Sequence, residues 1–230
     1  MSVIEGLSVV IPTLNAAESL PATIAALGGA VAELVVVDGG SRDGTPRLAE
    51  ASGARVIAAT RGRGAQLAAG VAAASGPWLL LLHADTRIAP GWEQAVRATI
   101  GRPGGAARAW YFGFALDDRS PAASRLERAV AWRCRVFALP YGDQGLLIHR
   151  DLLARIGGIR PLPLMEDVDL VRRLGRARLG LINVAAVTSA ARWRREGYLR
   201  RSSRNLLCLG LWFVGVPPRI IARIYASRAT

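Results

Sequence analysis

VVVDGGSRDGT, residues 35–45, sets the organisation of the chain. Leu34 to Val37 is an apolar run that reads as a buried strand, and Asp38 stands at its carboxyl end. Gly39, Gly40, Ser41, Asp43 and Gly44 make a polar turn, after which Thr45 begins a helical pattern. In open α/β sheets, ligands bind in the crevice outside the carboxyl ends of the strands, so an acid there is placed to meet a small molecule. Asp38 equally suits a turn-capping role. The same construction recurs at Asp85, which favours the ligand reading.

Outward from this stretch, strand and helix alternate. LSVVI, residues 7–11, is an apolar run ended by Pro12, with Thr13 and Asn15 in the loop and a helix expected over 16–27. Further strands are expected at 55–58 and 78–82, with helices at 46–52, at 61–74 and after Pro90. This alternation predicts a mostly parallel sheet covered by helices on both faces. The later part is less regular. Strands are expected at 107–115, 146–149 and 179–187, and helices at 122–138 and 168–178.

Residues 1–100 carry net charge −1 and residues 101–230 carry +14, all of the positive charge coming from arginine. A basic half implies an anionic partner, such as a membrane surface or a phosphorylated substrate. The arginines are not interleaved with aromatics in a nucleic-acid recognition motif, so no nucleic acid is expected. Cys134 and Cys208 provide neither a disulfide framework nor metal-ligand spacing, and no basic segment precedes an apolar run at the N-terminus. A cytoplasmic location is therefore expected, with the inner face of the membrane as an alternative station. Residues 1–198 read as one domain and 199–230 as a helical tail. The apolar run 206–216 is shorter than the roughly 20 residues a membrane span needs. Arg200, Arg201 and Arg204 precede it, while Arg219 and Arg223 follow, which suits an interfacial helix as well as one packed on the sheet.

The chemistry-bearing stretches come next. HADT, residues 83–86, places Asp85 after an apolar strand, where a carboxylate can hold a hard divalent cation against a diphosphate. His83 two residues earlier suits a core position better than a ligand position. MEDVDL, residues 165–170, offers Glu166 and Asp167 either as acids favoured by a helix N-terminus or as a general base with a positioning neighbour. GDQG, residues 142–145, is a tight polar turn placed to line a pocket. Arg63, beside glycines at a helix start, suits phosphate, although the stretch lacks the dinucleotide-binding pattern. Arg192 and Trp193, in ARWRREG, suit a diphosphate and a sugar or base, or else a solvated basic face.

In this order, VVIPTLN (9–15), VVVDGGSRDGT, HAD, MEDVDL and ARW resemble the family 2 glycosyltransferases of the GT-A fold, over roughly residues 7–197. The resemblance is strongest to small bacterial members with HADT and GDQG, the radical-SAM/selenodomain-associated transferase 2 type. It implies a metal-dependent, inverting hexosyltransferase acting on a nucleotide-diphosphate sugar, usually UDP-linked. Pro12, Thr13, Asn15, Asp38, Ser41 and Asp43 would form the nucleotide pocket, and Asp85 would bind Mg²⁺ or Mn²⁺. Asp167, beside Glu166, would be the base, with Arg192 and Trp193 facing the diphosphate or acceptor. Three positions depart from the pattern. His83 replaces the first acid of the DxD motif, Ser189 the Gln of QxxRW, and Ala68 an Asn.

Two other readings stand beside this one. A nucleotidyltransferase would carry a glycine-rich basic loop after the first strand, where this chain has PTLNAAES. A non-catalytic module binding a membrane surface or an anionic ligand would use the basic half alone. The acids at Asp38, Asp85 and Asp167 favour the enzyme, and an acceptor presented at the membrane, such as a lipid, fits the basic half and the apolar tail.

Overall fold

The computed structural model describes residues 2–227; Met1 and the last tail residues, 228–230, lie outside the described set. A single eight-stranded sheet runs through the molecule. The first four strands are β1 (Ile4–Thr13), β2 (Val31–Asp38), β3 (Arg55–Ala58) and β4 (Trp78–Leu81). They are followed by β5 (Thr86–Ile88), β6 (Ala109–Leu116), β7 (Leu146–His149) and β8 (Leu179–Thr188). Their spatial order is β3-β2-β1-β4-β7-β6-β8-β5. Pairings β2–β3, β1–β2, β1–β4 and β6–β8 are parallel, whereas β4–β7, β6–β7 and β5–β8 are antiparallel. The sheet is parallel through the early alternating half, as expected, and mixed beyond β4.

Alternate residues of the central strands enter opposite faces, as the two-residue strand period requires. Val9 and Ile11 pack with Leu20 of α1 (Leu20–Ala26) and Leu27 just after it, Ala49 of α2 (Thr45–Ala51), and Trp92 and Val96 of α4 (Trp92–Ile100). Val10 packs on the other face with Leu67 of α3 (Arg63–Ala73), Leu152 of α6 (Arg150–Arg155), and Val168 and Leu174 of α7 (Glu166–Leu174). Helix α5 (Pro121–Phe137) lies against β6. Burial on both faces explains why these strands read as continuous apolar runs. Gly70 lets α3 approach closely, since a Cβ there would lie 2.3 Å from Val10 Cγ1 and 2.7 Å from Val37 Cγ2.

Local departures from the sequence reading have physical causes. The expected helix at 16–27 begins only at Leu20. The N–H groups of Asn15, Ala16 and Ala17 donate instead to Ser41 Oγ, Thr45 Oγ1 and Asp43 Oδ2. The expected helix at 168–178 starts two residues earlier and breaks at Gly175, whose φ is +74°. Only a 3-10 turn, Arg176–Arg178, continues it. The shift places Glu166 and Asp167 in the first helical turn. β5 and α6 were not foreseen; both are too short for a periodic signal.

The last helices are α8 (Ala191–Glu196), α9 (Tyr198–Phe213) and α10 (Pro218–Ser227). Arg204 and Cys208 of α9 and Ile221 of α10 are buried, whereas Leu199, Leu206, Leu207, Phe213, Val214 and Ile220 are exposed. The apolar run is thus split between an inner and an outer side. No helix among the described residues is long and apolar enough to cross a membrane.

Candidate active site

Two clusters form at the carboxyl edge of β1, β2 and β4. In the first, Asp38 Oδ2 accepts hydrogen bonds from Gly40 N (2.9 Å) and Ser41 N (2.8 Å). Its Oδ1 accepts from Ser41 Oγ (2.5 Å) and Thr13 Oγ1 (3.2 Å). Burial works to raise the Asp38 pKa, but these donors together draw it below the usual value. Asp43 likewise accepts from Thr45 Oγ1 (2.5 Å) and Ala17 N (3.0 Å). Asn15, in the left-handed region at φ +50°, accepts from Arg42 N (2.8 Å). The loop after β1, which carries Pro12 at its edge, is thereby fastened to the turn after β2. Gln66 of α3, which the sequence reading did not single out, ties both strands by donating to Thr13 O (2.7 Å) and Val37 O (2.8 Å).

The second cluster surrounds a cavity of about 280 Å³, whose walls include Arg63, His83, Asp85, Asp143, Glu166 and Asp167. Arg63 donates to Glu166 Oε1 through Nε and to His83 Nε2 through Nη1 (3.2 Å), and its Nη2 lies 3.6 Å from Asp167 Oδ2. Burial and the Arg63 charge lower the His83 pKa to about 4, so the ring is neutral near pH 7. With Nε2 accepting from Arg63, His83 stands as a positioned neutral group.

Asp167 accepts from Gly142 N (2.9 Å) and Val168 N (2.8 Å). Burial opposes its ionisation, but Arg63 and these two amides outweigh it and hold the carboxylate charged. Glu166 is only 2% exposed; burial raises its pKa against the pull of Arg63, and its Oε2 has no hydrogen-bond partner among the described residues. Gly142 is required beside this pair, because a Cβ there would lie 2.6 Å from His83 Nε2.

Asp143 was not among the residues singled out, although its GDQG turn was. Burial pushes its carboxyl up to about 6, with Asp167 and Asp85 adding to the rise and Arg133 and Arg63 opposing it. Its Oδ1 is buried with no hydrogen-bond partner among the described residues. The turn itself is held by hydrogen bonds. Gln144 donates to Phe112 O (3.0 Å) and accepts from Tyr141 N (3.2 Å), while the Asp143 carbonyl accepts from Thr188 Oγ1 (3.1 Å).

Arg192 and Trp193 of α8 also line the cavity, as do Arg201 and Asn205 of α9 and Tyr225 of α10. Arg192 is exposed and forms no ion pair among the described residues. Trp193 is buried, with its ring stacked on Tyr198 at 5.7 Å and the Arg201 guanidinium 5.0 Å above it. Arg201 pairs with Glu196 at 3.1 Å, and Arg204 pairs with the same carboxylate. The sequence reading assigned nothing in α9 or α10 to this cavity.

A divalent cation fits this arrangement through Asp85, whose carboxylate makes no hydrogen bond or ion pair among the described residues. Magnesium-type sites commonly use one or two carboxylates with substrate phosphates and water. No group of three or more His, Cys, Asp or Glu placed to hold a metal occurs among the described residues.

Acids gathered at the carboxyl edge of an α/β sheet mark a ligand site, and the family model described as glycosyl transferase family 2 matches residues 8–145. The chain belongs to that family. A Mycobacterium tuberculosis protein described as an uncharacterised glycosyltransferase is 42% identical over 82 residues, 35% of this chain and 37% of that protein. The alignment thus spans little more than a third of that relative's length. Among solved structures, glucosyl-3-phosphoglycerate synthase from M. tuberculosis superposes with a TM-score of 0.61 in its complex with Mn²⁺ and UDP-glucose. The identity there is 22%, covering 92% of this chain and 79% of the other. Its complex with Mn²⁺, UDP and glucosyl-3-phosphoglycerate gives a TM-score of 0.60 at 23% identity, covering 92% and 80%. At these identities the structures establish the shared GT-A fold.

Proposed function

We propose that this protein transfers a hexosyl group, with inversion, from a UDP-linked sugar to an acceptor hydroxyl. The observation that carries this reading is one cavity in which unengaged Asp85 and Arg192 stand near the fixed carboxylate of Asp167. Asp85 would hold Mg²⁺ or Mn²⁺, which supplies charge neutralisation to the donor diphosphate. The family's mycobacterial structural neighbours were solved with Mn²⁺ and UDP or UDP-glucose, which supports this donor class.

In this reading the first cluster, Pro12 to Asn15 with Asp38 to Asp43, frames the nucleoside. Asp167 receives the acceptor proton as the acceptor oxygen bonds to the anomeric carbon. The bond from that carbon to phosphate breaks, and its electron pair leaves with the diphosphate. Arg192 meets the leaving group as its charge develops. Arg63 and Glu166 keep Asp167 oriented. Calorimetric titration with UDP, GDP and CDP, each with and without Mn²⁺, tests the donor assignment. Mn²⁺-dependent UDP binding that Asp85→Ala weakens is expected; absence of binding to all three overturns it.

A second proposal concerns location, and it rests on α9. Its exposed Leu206, Leu207 and Phe213, with Val214 just after it, are flanked in sequence by exposed Arg200, Arg219 and Arg223, and no acid follows Glu196 in the sequence. This suits peripheral attachment to an anionic membrane face, with residues 1–198 as the transfer unit and 199–230 as the attached wall. Co-sedimentation with phosphatidylglycerol vesicles, abolished by Leu206→Ser with Phe213→Ser, is the expected result.

A further inference from the structure

The acceptor side of the cavity carries a chemical signature of its own. Its described cations are Arg63, Arg192 and Arg201. Arg63 is committed to Glu166 and Asp167, and Arg201 to Glu196. Only Arg192 is unengaged, and the proposed donor diphosphate would claim it. Four carboxylates, Asp85, Asp143, Glu166 and Asp167, face the same space. With the divalent cation set against the donor diphosphate, and even with Arg192 counted against Asp85 and Arg63 against one of its two acids, carboxylate charge remains in excess. It repels an anionic acceptor at a cost that grows as water is excluded.

Besides Glu166 Oε2, two polar groups of this cavity stand without protein partners. Asp143 Oδ1 is buried and unpaired, and the Asn205 side chain makes no hydrogen bond among the described residues. A buried carboxylate oxygen without a donor costs free energy that a ligand hydroxyl can recover. Pro163 to Met165 and Tyr225, which also line the cavity, supply apolar and aromatic surface of the kind that packs on a sugar ring.

We propose that the acceptor is an uncharged polyhydroxy group, a sugar or polyol, held between Asp143 and the C-terminal helices, with Asn205 as its second polar contact. The tail is then part of the active site: α9 is fixed on Trp193 and Glu196, which places Asn205 beside the chemistry. This inference rests on the transferase reading. It separates this protein from its structural neighbour, whose complex contains a phosphoglycerate product.

The test is binding to protein saturated with UDP and Mn²⁺, read by saturation-transfer NMR and calorimetry. The probes are methyl glucoside, methyl mannoside and glycerol, with 3-phosphoglycerate and glycerol 3-phosphate as anionic counterparts. A detergent-solubilised alkyl glucoside separates a lipid-linked source from a free one. At least one neutral probe is expected to bind more tightly than either anion. Asp143→Ala and Asn205→Ala should each weaken it about 10-fold, the scale of a lost hydrogen bond to a charged group or its neutral equivalent. UDP affinity and the unfolding midpoint report whether each variant remains folded. Tighter binding of a phosphorylated probe, no binding of any neutral probe, or wild-type affinity in both folded variants would overturn the proposal. Loss of UDP binding by the wild type would instead strike the transferase reading itself.

Discussion

Arg63, in the first turn of α3, donates its Nε hydrogen to the buried carboxylate of Glu166, 103 positions later in the first turn of α7. One guanidinium thus joins two helix starts and also touches His83 and lies near Asp167. Arg63 is about one-third exposed, whereas Glu166 is almost fully enclosed. Removing the partner that remains wet leaves the dry charge alone. Arg63→Ala should therefore destabilise the protein by about 3 kcal/mol, the low end of the range for breaking a buried pair. Urea unfolding of the variant beside wild type measures this, and a change below 1 kcal/mol contradicts it.

Asp143 makes stability depend on pH in a definite direction. Its folded pKa, about 6, lies above the reference 3.8, so the folded state binds the proton more tightly. The stabilisation is complete below about pH 4 and is lost as pH rises through 6. Asp143→Asn should gain stability relative to wild type between pH 4 and pH 6.5, as read from urea midpoints. A flat difference across that window would show that Asp143 titrates normally.

Asp167 is held charged by two backbone amides and Arg63, so its replacement should affect chemistry more than donor binding. Asp167→Asn is expected to lower kcat by about 10²- to 10⁴-fold, the usual worth of a positioned base. UDP affinity should stay within about twofold of wild type. Steady-state kinetics with the accepted donor, together with calorimetry, separates the two effects, and unchanged kcat would remove Asp167 from the role.

Gly70 faces two valines of the sheet at distances no Cβ tolerates. Gly70→Ala should push α3 off Val10 and Val37 and cost about 1–3 kcal/mol, the range for overpacked cores. The Gln66 bridge to Thr13 and Val37 lies on the same helix, so UDP binding should weaken as well. Thermal unfolding and UDP titration on the same sample check both consequences.

Glu196 accepts from Arg201 and Arg204, and the Arg204 side chain is 4% exposed. Glu196→Gln leaves those cations poorly compensated and should loosen α9 from α8. Hydrogen exchange in residues 198–213 is predicted to quicken while the strands keep their protection. Unchanged exchange there would mean that apolar packing alone holds the helix.

The sequence by itself determined the early sheet, because strands buried on both faces must be almost wholly apolar, as 7–11 (Ser8 excepted), 34–37 and 78–82 are. It also placed Asp38 at a strand end, Asp85 in the loop after a strand and Asp167 near a helix start, since strand ends and helix starts announce themselves through turn residues and local charge. Tertiary structure decided what those acids meet. Local periodicity holds no record that Arg63 would reach Glu166, that Gly142 would donate to Asp167, or that Asn205 and Tyr225 would share a cavity with Asp85. Those contacts join residues far apart in the chain, and they exist only because packing on both faces of one sheet brings the helix starts to its carboxyl edge. For the same reason the run at 206–216 could not be resolved in advance: its inner side, at Cys208, is defined only by the surface it covers.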